Sequence, residues 1–146
     1  MATTLGRIMT ILDREGVRPR HRLADETGLT RATVTIAVRS LMDWGLVRET
    51  RRGKASRRGG PRPIMLVTVA ESASFVGLDL RREKFSACLI DLHGKITAVT
   101  TRAVPLGVST EAALATIDAL IDELVERSGA PVAAIGIGSV GPLTHH

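Results

Sequence analysis

The sequence predicts an α/β protein in two parts: an all-α module with a hairpin wing over residues 1–70, then an α/β segment over residues 71–146. Three observations carry this. Apolar spacing is helical up to Gly45 and strand-like immediately after it. Composition shifts at Ala70-Glu71-Ser72-Ala73. Charge divides at the same place: residues 1–70 hold fourteen Lys and Arg against six Asp and Glu, whereas residues 71–146 hold six against nine. The net +5 of the whole chain is therefore a strongly basic front and a mildly acidic back.

In the front part, Leu5, Ile8, Met9, Ile11 and Leu12 recur at helical spacing until Gly16, which predicts an amphipathic helix over about residues 3–15. Leu5, Ile8, Ile11 and Leu12 are its expected core residues. Pro19 lies in the connection. A short second helix runs from Arg20 to Thr27, and Gly28 closes it with a left-handed backbone. Thr30 is placed to cap a third helix reaching Trp44, with Val34, Val38, Leu41 and Met42 as its apolar stripe. Trp44 is expected as a partly buried hinge. Residues 46–50 and 64–69 read as two strands, joined by a Gly-, Arg- and Ser-rich loop over residues 51–63. Helix, helix-turn-helix, hairpin is the order of a winged helix-turn-helix.

In the back part, residues 75–80, 85–92 and 96–104 read as strands, with a turn at His93-Gly94. Ser109 or Thr110 caps a helix to Arg127 whose expected buried side is Ala113, Leu114, Ile117, Leu120, Ile121, Leu124 and Val125. Residues 132–138 are nearly all apolar, as in a strand buried on both faces. Cys88 alternates with apolar neighbours and is expected in the core.

Several classes are disfavoured by composition. No run of eighteen apolar residues implies a membrane span, and the N-terminus lacks the apolar core of a signal peptide. One cysteine allows no internal disulfide. A soluble cytoplasmic protein is expected. No catalytic residue, cofactor site or metal site is assigned; His145 and His146 read as a frayed or appended end rather than metal ligands.

A recognition helix needs one side anchored in the core and a free side carrying short polar and long basic side chains. Leu29, Val34, Val38 and Leu41 anchor; Thr30, Arg31, Thr33, Thr35 and Arg39 fall largely on the free side. Arg31 is placed to reach a guanine edge, the commonest specific major-groove contact, and Thr30 and Thr33 to meet phosphates or a thymine methyl. Arg51, Arg52, Lys54, Arg57, Arg58 and Arg62 put six cations into twelve residues of the wing. Such a tip lies over phosphates or sends an arginine into the minor groove. The bland alternatives are a solvated helix face and a basic linker. The order of turn, helix and wing favours double-stranded DNA.

Leu23-Ala24-Asp25-Glu26-Thr27-Gly28-Leu29-Thr30-Arg31-Ala32-Thr33-Val34 and Leu41-Met42-Asp43-Trp44-Gly45-Leu46-Val47-Arg48-Glu49 together resemble the N-terminal winged helix of ROK-family transcriptional regulators. Arg58-Gly59-Gly60-Pro61-Arg62-Pro63 is similar to that family's wing. Phe75-Val76-Gly77-Leu78-Asp79-Leu80 resembles the strand opening the ROK domain, and Ile135-Gly136-Ile137-Gly138-Ser139-Val140-Gly141-Pro142-Leu143 its second glycine-rich signature. The resemblance implies an actin-like (ribonuclease H-like) fold for residues 71–146, present only in its N-terminal portion. It implies a repressor of carbohydrate-use genes, acting as a homodimer on a palindromic site, with its sugar effector site in the missing part. The family's kinases carry small residues after the first-strand aspartate; here Asp79 is followed by Leu80-Arg81-Arg82-Glu83-Lys84, which disfavours a close approach to phosphate. Asp79 is read as a remnant of the fold rather than a metal organiser, and phosphate binding by Arg81, Arg82 and Lys84 as the lesser alternative.

The expected function is thus sequence-specific DNA binding without enzyme activity. A sugar kinase, or a DNA-binding fragment without effector response, are the alternatives. Four strands and one helix leave apolar faces uncovered, so the back part is expected to be marginally stable, aggregation-prone or completed by another chain.

Overall fold

The computed structural model describes residues 3–50 and 64–139. The chain forms two compact units, Met1–Ala70 and Glu71–His146.

In the first unit, α1 (Thr4–Glu15) starts where the Thr3 hydroxyl accepts the Gly6 N–H at 3.2 Å. Ile8 and Leu12, four residues apart, are its buried side chains. The strand β1 (Arg18–Pro19) leads directly into α2 (Arg20–Thr27). Gly28, at φ 67° and ψ 18°, ends α2 in the left-handed region, where a side chain would be strained. Thr30 then caps α3 (Arg31–Asp43). The strands β2 (Val47–Thr50) and β3 (Met65–Thr68) pair antiparallel, and β1 adds to the other edge of β3, giving the order β1-β3-β2. Fully buried Ile8, Leu12, Leu23, Val34, Val38, Leu41 and Leu66 close one core from three helices and the sheet. Each such aliphatic side chain contributes about 1.5–3 kcal/mol of burial.

Two expectations for this unit are corrected. The segment around Pro19 is not only a connection, because Arg18 and Pro19 pair with Leu66 and Met65. A two-residue strand is too short for alternation to show. Trp44 is not partly buried but 61% exposed. Its backbone N–H still bonds to Ser40, and the Leu46 N–H to Leu41, so the turn is held by main chain. Leu46 and Val47 take the places against the core, and the indole is left outside.

In the second unit, a single 3-10 turn at Ala70–Ser72 precedes β4 (Ser74–Arg81), β5 (Lys84–Asp91) and β6 (Ile96–Ala103), an antiparallel meander. α4 (Thr110–Arg127) follows, and β7 (Val132–Ser139) returns parallel to β4, so the sheet order is β6-β5-β4-β7. Ser109 caps α4, and hydrogen bonds from the Glu111 backbone and Ser109 hold the Glu111 carboxyl below its ordinary value. Leu120 and Leu124 pack on Val76, Leu78, Ala87 and Leu89.

Three expectations are corrected here. β7 is not buried on both faces: it is the sheet's edge, and Ile135 and Ile137 are exposed. α4 packs mainly across β5 and β6, and of β7 it is Val132, at the start of the strand, that joins the core cluster beneath the helix. Leu114 and Val125 are exposed, because only the Leu120–Leu124 side of α4 meets the sheet. Cys88 is half-buried rather than core, since Ala87 and Leu89 take the strand face beneath α4.

Candidate nucleic-acid interface

The turn between α2 and α3 is braced from several sides. The Thr27 hydroxyl donates back to the Leu23 carbonyl. The Arg7 guanidinium of α1 donates to the Thr27 carbonyl at 2.6 Å, satisfying one of the carbonyls that a helix end leaves without a partner. Gly28 reverses the chain, and Leu29 packs against the core. The Thr30 hydroxyl accepts the Thr33 N–H at 3.2 Å and shares a 2.9 Å hydrogen bond with the Thr33 hydroxyl. α3 is thereby fixed in direction by contacts at its very start.

With Val34, Ala37, Val38 and Leu41 turned inward, the free face of α3 carries Arg31, Ala32, Thr35, Ile36 and Arg39, all exposed. The Thr35 hydroxyl donates to the Arg31 carbonyl at 2.8 Å, which leaves its lone pairs outward. Thr33 is only partly exposed. The Thr30, Thr33 and Thr35 hydroxyls each hold a local hydrogen bond with lone pairs to spare, while Arg31 and Arg39 extend from the exposed face. Arg51, Arg52, Lys54, Arg57, Arg58 and Arg62 lie outside the described residues. Thr50 and Met65 are paired, so the chain leaves and re-enters this sheet at one point.

The structure adds residues that sequence spacing did not single out. A cleft of about 300 Å³ between α2 and α3 is lined by Arg20, His21, Asp25, Arg31, Val34 and Thr35. Arg20 also reaches β2, with its guanidinium on Glu49 at 2.8 Å and against the Met42 sulfur at 3.7 Å. The Arg20-His21-Arg22 run was a visible signal, but its direction was not.

In the second unit, Asp79 at the end of β4 is held by the Arg81 guanidinium at 2.8 Å. It borders an open cleft of about 930 Å³ with Arg82, Phe85, Val104 and Val108. Among the described residues, no group of three or more His, Cys, Asp or Glu is placed to hold a metal ion, and no helix is long and apolar enough to cross a membrane.

No protein-family model matches the chain. The xylose repressor of Bacillus subtilis (strain 168) is 32% identical over 127 residues, 84% of this chain and 32% of the relative. The DNA-binding transcriptional dual regulator NagC of Escherichia coli (strain K12) is 30% identical over 91 residues, 62% of this chain and 22% of the relative. A solved ROK family transcriptional regulator, a homologue of the E. coli MLC protein, superimposes with a TM-score of 0.72 at 26% identity. It covers 94% of this chain and 35% of its own, so the likeness runs through both units. The chain is similar in sequence and fold to ROK family transcriptional regulators. It spans about a third or less of the length of the curated relatives it matches. The match to the xylose repressor and the superposition on the solved regulator are both long enough to include α3 and its exposed basic face.

Proposed function

We propose that residues 1–70 are a winged helix-turn-helix unit that binds double-stranded DNA, with α3 in the major groove. Residues 71–146 are then the N-terminal portion of an actin-like ROK domain. The whole is a transcriptional repressor of carbohydrate-use genes, acting as a homodimer on a palindromic site. The observation that carries this is α3 itself: anchored by four buried side chains, aimed by a braced turn, and free on a face bearing Arg31, Thr35 and Arg39. Arg31 supplies the base contact, and Thr30, Thr33, Thr35 and Arg39 the flanking ones. Arg51, Arg52, Lys54, Arg57, Arg58 and Arg62 supply phosphate contacts by virtue of their charge. The names of the xylose and N-acetylglucosamine repressors support the regulatory reading.

A kinase reading is less well supported. Asp79 is engaged by Arg81, and the residues that follow it are large and charged rather than small. No sugar-binding residue is assigned among residues 71–139.

The test is selection from a random duplex library, with and without candidate sugars. An enriched palindrome is expected, with a log–log salt slope of about −5 if six phosphates are neutralised. A slope near zero would refute DNA binding. Arg31→Ala is expected to weaken the enriched site by about 1–3 kcal/mol and to relax its preference at one base pair. An equal loss on every sequence would make Arg31 a phosphate contact instead.

A further inference from the structure

The free face of α3 carries two apolar side chains that the fold does not use. Ile36 is 69% exposed, and Ala32, one turn before it, is exposed as well. Both stand opposite the buried stripe of Val34, Val38 and Leu41. A single exposed apolar side chain on a protein surface needs no explanation. These two do, because of their company. Arg31, Thr35 and Arg39 share the same exposed face, so the apolar pair sits inside the polar surface that meets DNA under the reading above.

The major groove offers such a pair one apolar partner, the C5-methyl group of thymine. Every other feature of a base edge there is a hydrogen-bond donor or acceptor that an isoleucine cannot satisfy. Cationic neighbours draw the phosphates in on either side and hold the helix at contact distance. The Ala32–Ile36 separation is one helical turn, about 6 Å along the axis. That is a little under two base steps at about 3.4 Å each along a strand.

We infer that Ile36, with Ala32 beside it, reads thymine methyl groups in the major groove, on base pairs one or two steps apart. The inference rests on the DNA-binding reading and assigns it a source of specificity that Arg31 cannot supply. Cytosine at such a position has a bare C5–H in place of the methyl and an N4 amine in place of thymine's O4, so the apolar contact is lost.

Deoxyuridine isolates the contact, since it lacks only the methyl and keeps every hydrogen-bonding group of thymine. Binding of the whole chain and of Ile36→Ala is measured on the selected duplex and on versions with single thymines replaced by deoxyuridine. The unaltered chain is expected to lose about fourfold at one or two positions, the worth of one buried carbon group. Ile36→Ala is expected to bind the thymine duplex more weakly and to show no further loss at one of those positions. Because Ile36 is exposed, the variant should melt as the unaltered chain does. Losses that multiply independently at every position would overturn the inference while leaving DNA binding intact. So would an unchanged affinity in Ile36→Ala. A library that enriches no sequence at all would overturn both the inference and the reading beneath it.

Discussion

In the first unit, side chains from α1, α2, α3, β2 and β3 converge on one core, and Leu23, Val38 and Leu66 are fully buried at its centre. In the second, a four-stranded sheet has one helix on one face, and Ile96, Val99, Ile135 and Ile137 remain exposed. Both units carry comparable apolar strands and helices. They differ in how many elements share the burial. A small three-helix unit with a short sheet wraps its own core, whereas α4 alone covers its sheet, packing on β4, β5 and β6 and leaving much of β7 open. The difference bears on function as much as on stability: the surface proposed to meet DNA rests on the closed core.

The largest effect that sharpens this contrast is cavity formation. Leu23→Ala removes a fully buried side chain enclosed by several elements, and a loss near the top of the usual 2–5 kcal/mol is expected. Leu124→Ala removes an equally buried side chain whose neighbours lie beside open surface and can relax into the gap, so a loss near the bottom is expected. Hydrogen exchange of the α2 and β4 amides reports each unit separately. The reverse order would break the comparison.

A smaller pair tests backbone against packing. Gly28→Ala meets no atom within 4 Å, yet φ is +67°, so its expected loss of about 1–2 kcal/mol is purely conformational. Gly77→Ala in β4 keeps an ordinary strand backbone and meets the Cys88 Sγ at 3.1 Å and, in ordinary contact, the Ile90 Cδ1 at 3.9 Å. Cys88 is half-buried on the face away from α4 and can move, so less than about 1 kcal/mol is expected there. Urea denaturation of the two variants gives the comparison directly.

Much of the fold was legible because its boundaries are written in local chemistry. Gly16, Gly28 and Gly45 all adopt positive φ, and Thr30 and Ser109 accept the backbone N–H groups that their helices leave open. These signals need only near neighbours. The misreadings share the opposite property. The exposure of Ile135 and Val125 depends on where α4 crosses the sheet, which no periodicity records. β1 exists only because β3 arrives beside it. At the interface, the outward placement of Arg31, Thr35 and Arg39 follows from the apolar stripe behind them. Ile36 lies off the Val34–Val38–Leu41 stripe, and its exposure follows only from where the neighbouring elements pack. Likewise the cleft with Arg20 and His21 depends on the angle between two helices, set by packing rather than by either sequence.

The smallest expected effect probes the open side of the second unit directly. Ile137 is 63% exposed on β7, beside Leu78 in the register. An apolar side chain stabilises a fold only through the area it withdraws from water, and Ile137 withdraws little. Ile137→Lys is therefore expected to change unfolding free energy by no more than about 0.5 kcal/mol. A lysine on an edge strand also opposes pairing with a second edge, so light scattering should show less self-association than in the unaltered chain. The same change at Leu66, fully buried in the first unit, would place a charge in a closed core and unfold it. A loss above about 2 kcal/mol for Ile137→Lys would mean that the side chain is covered in solution. The contrast between a closed and an open unit would then fail, because the second unit would be burying its sheet as completely as the first.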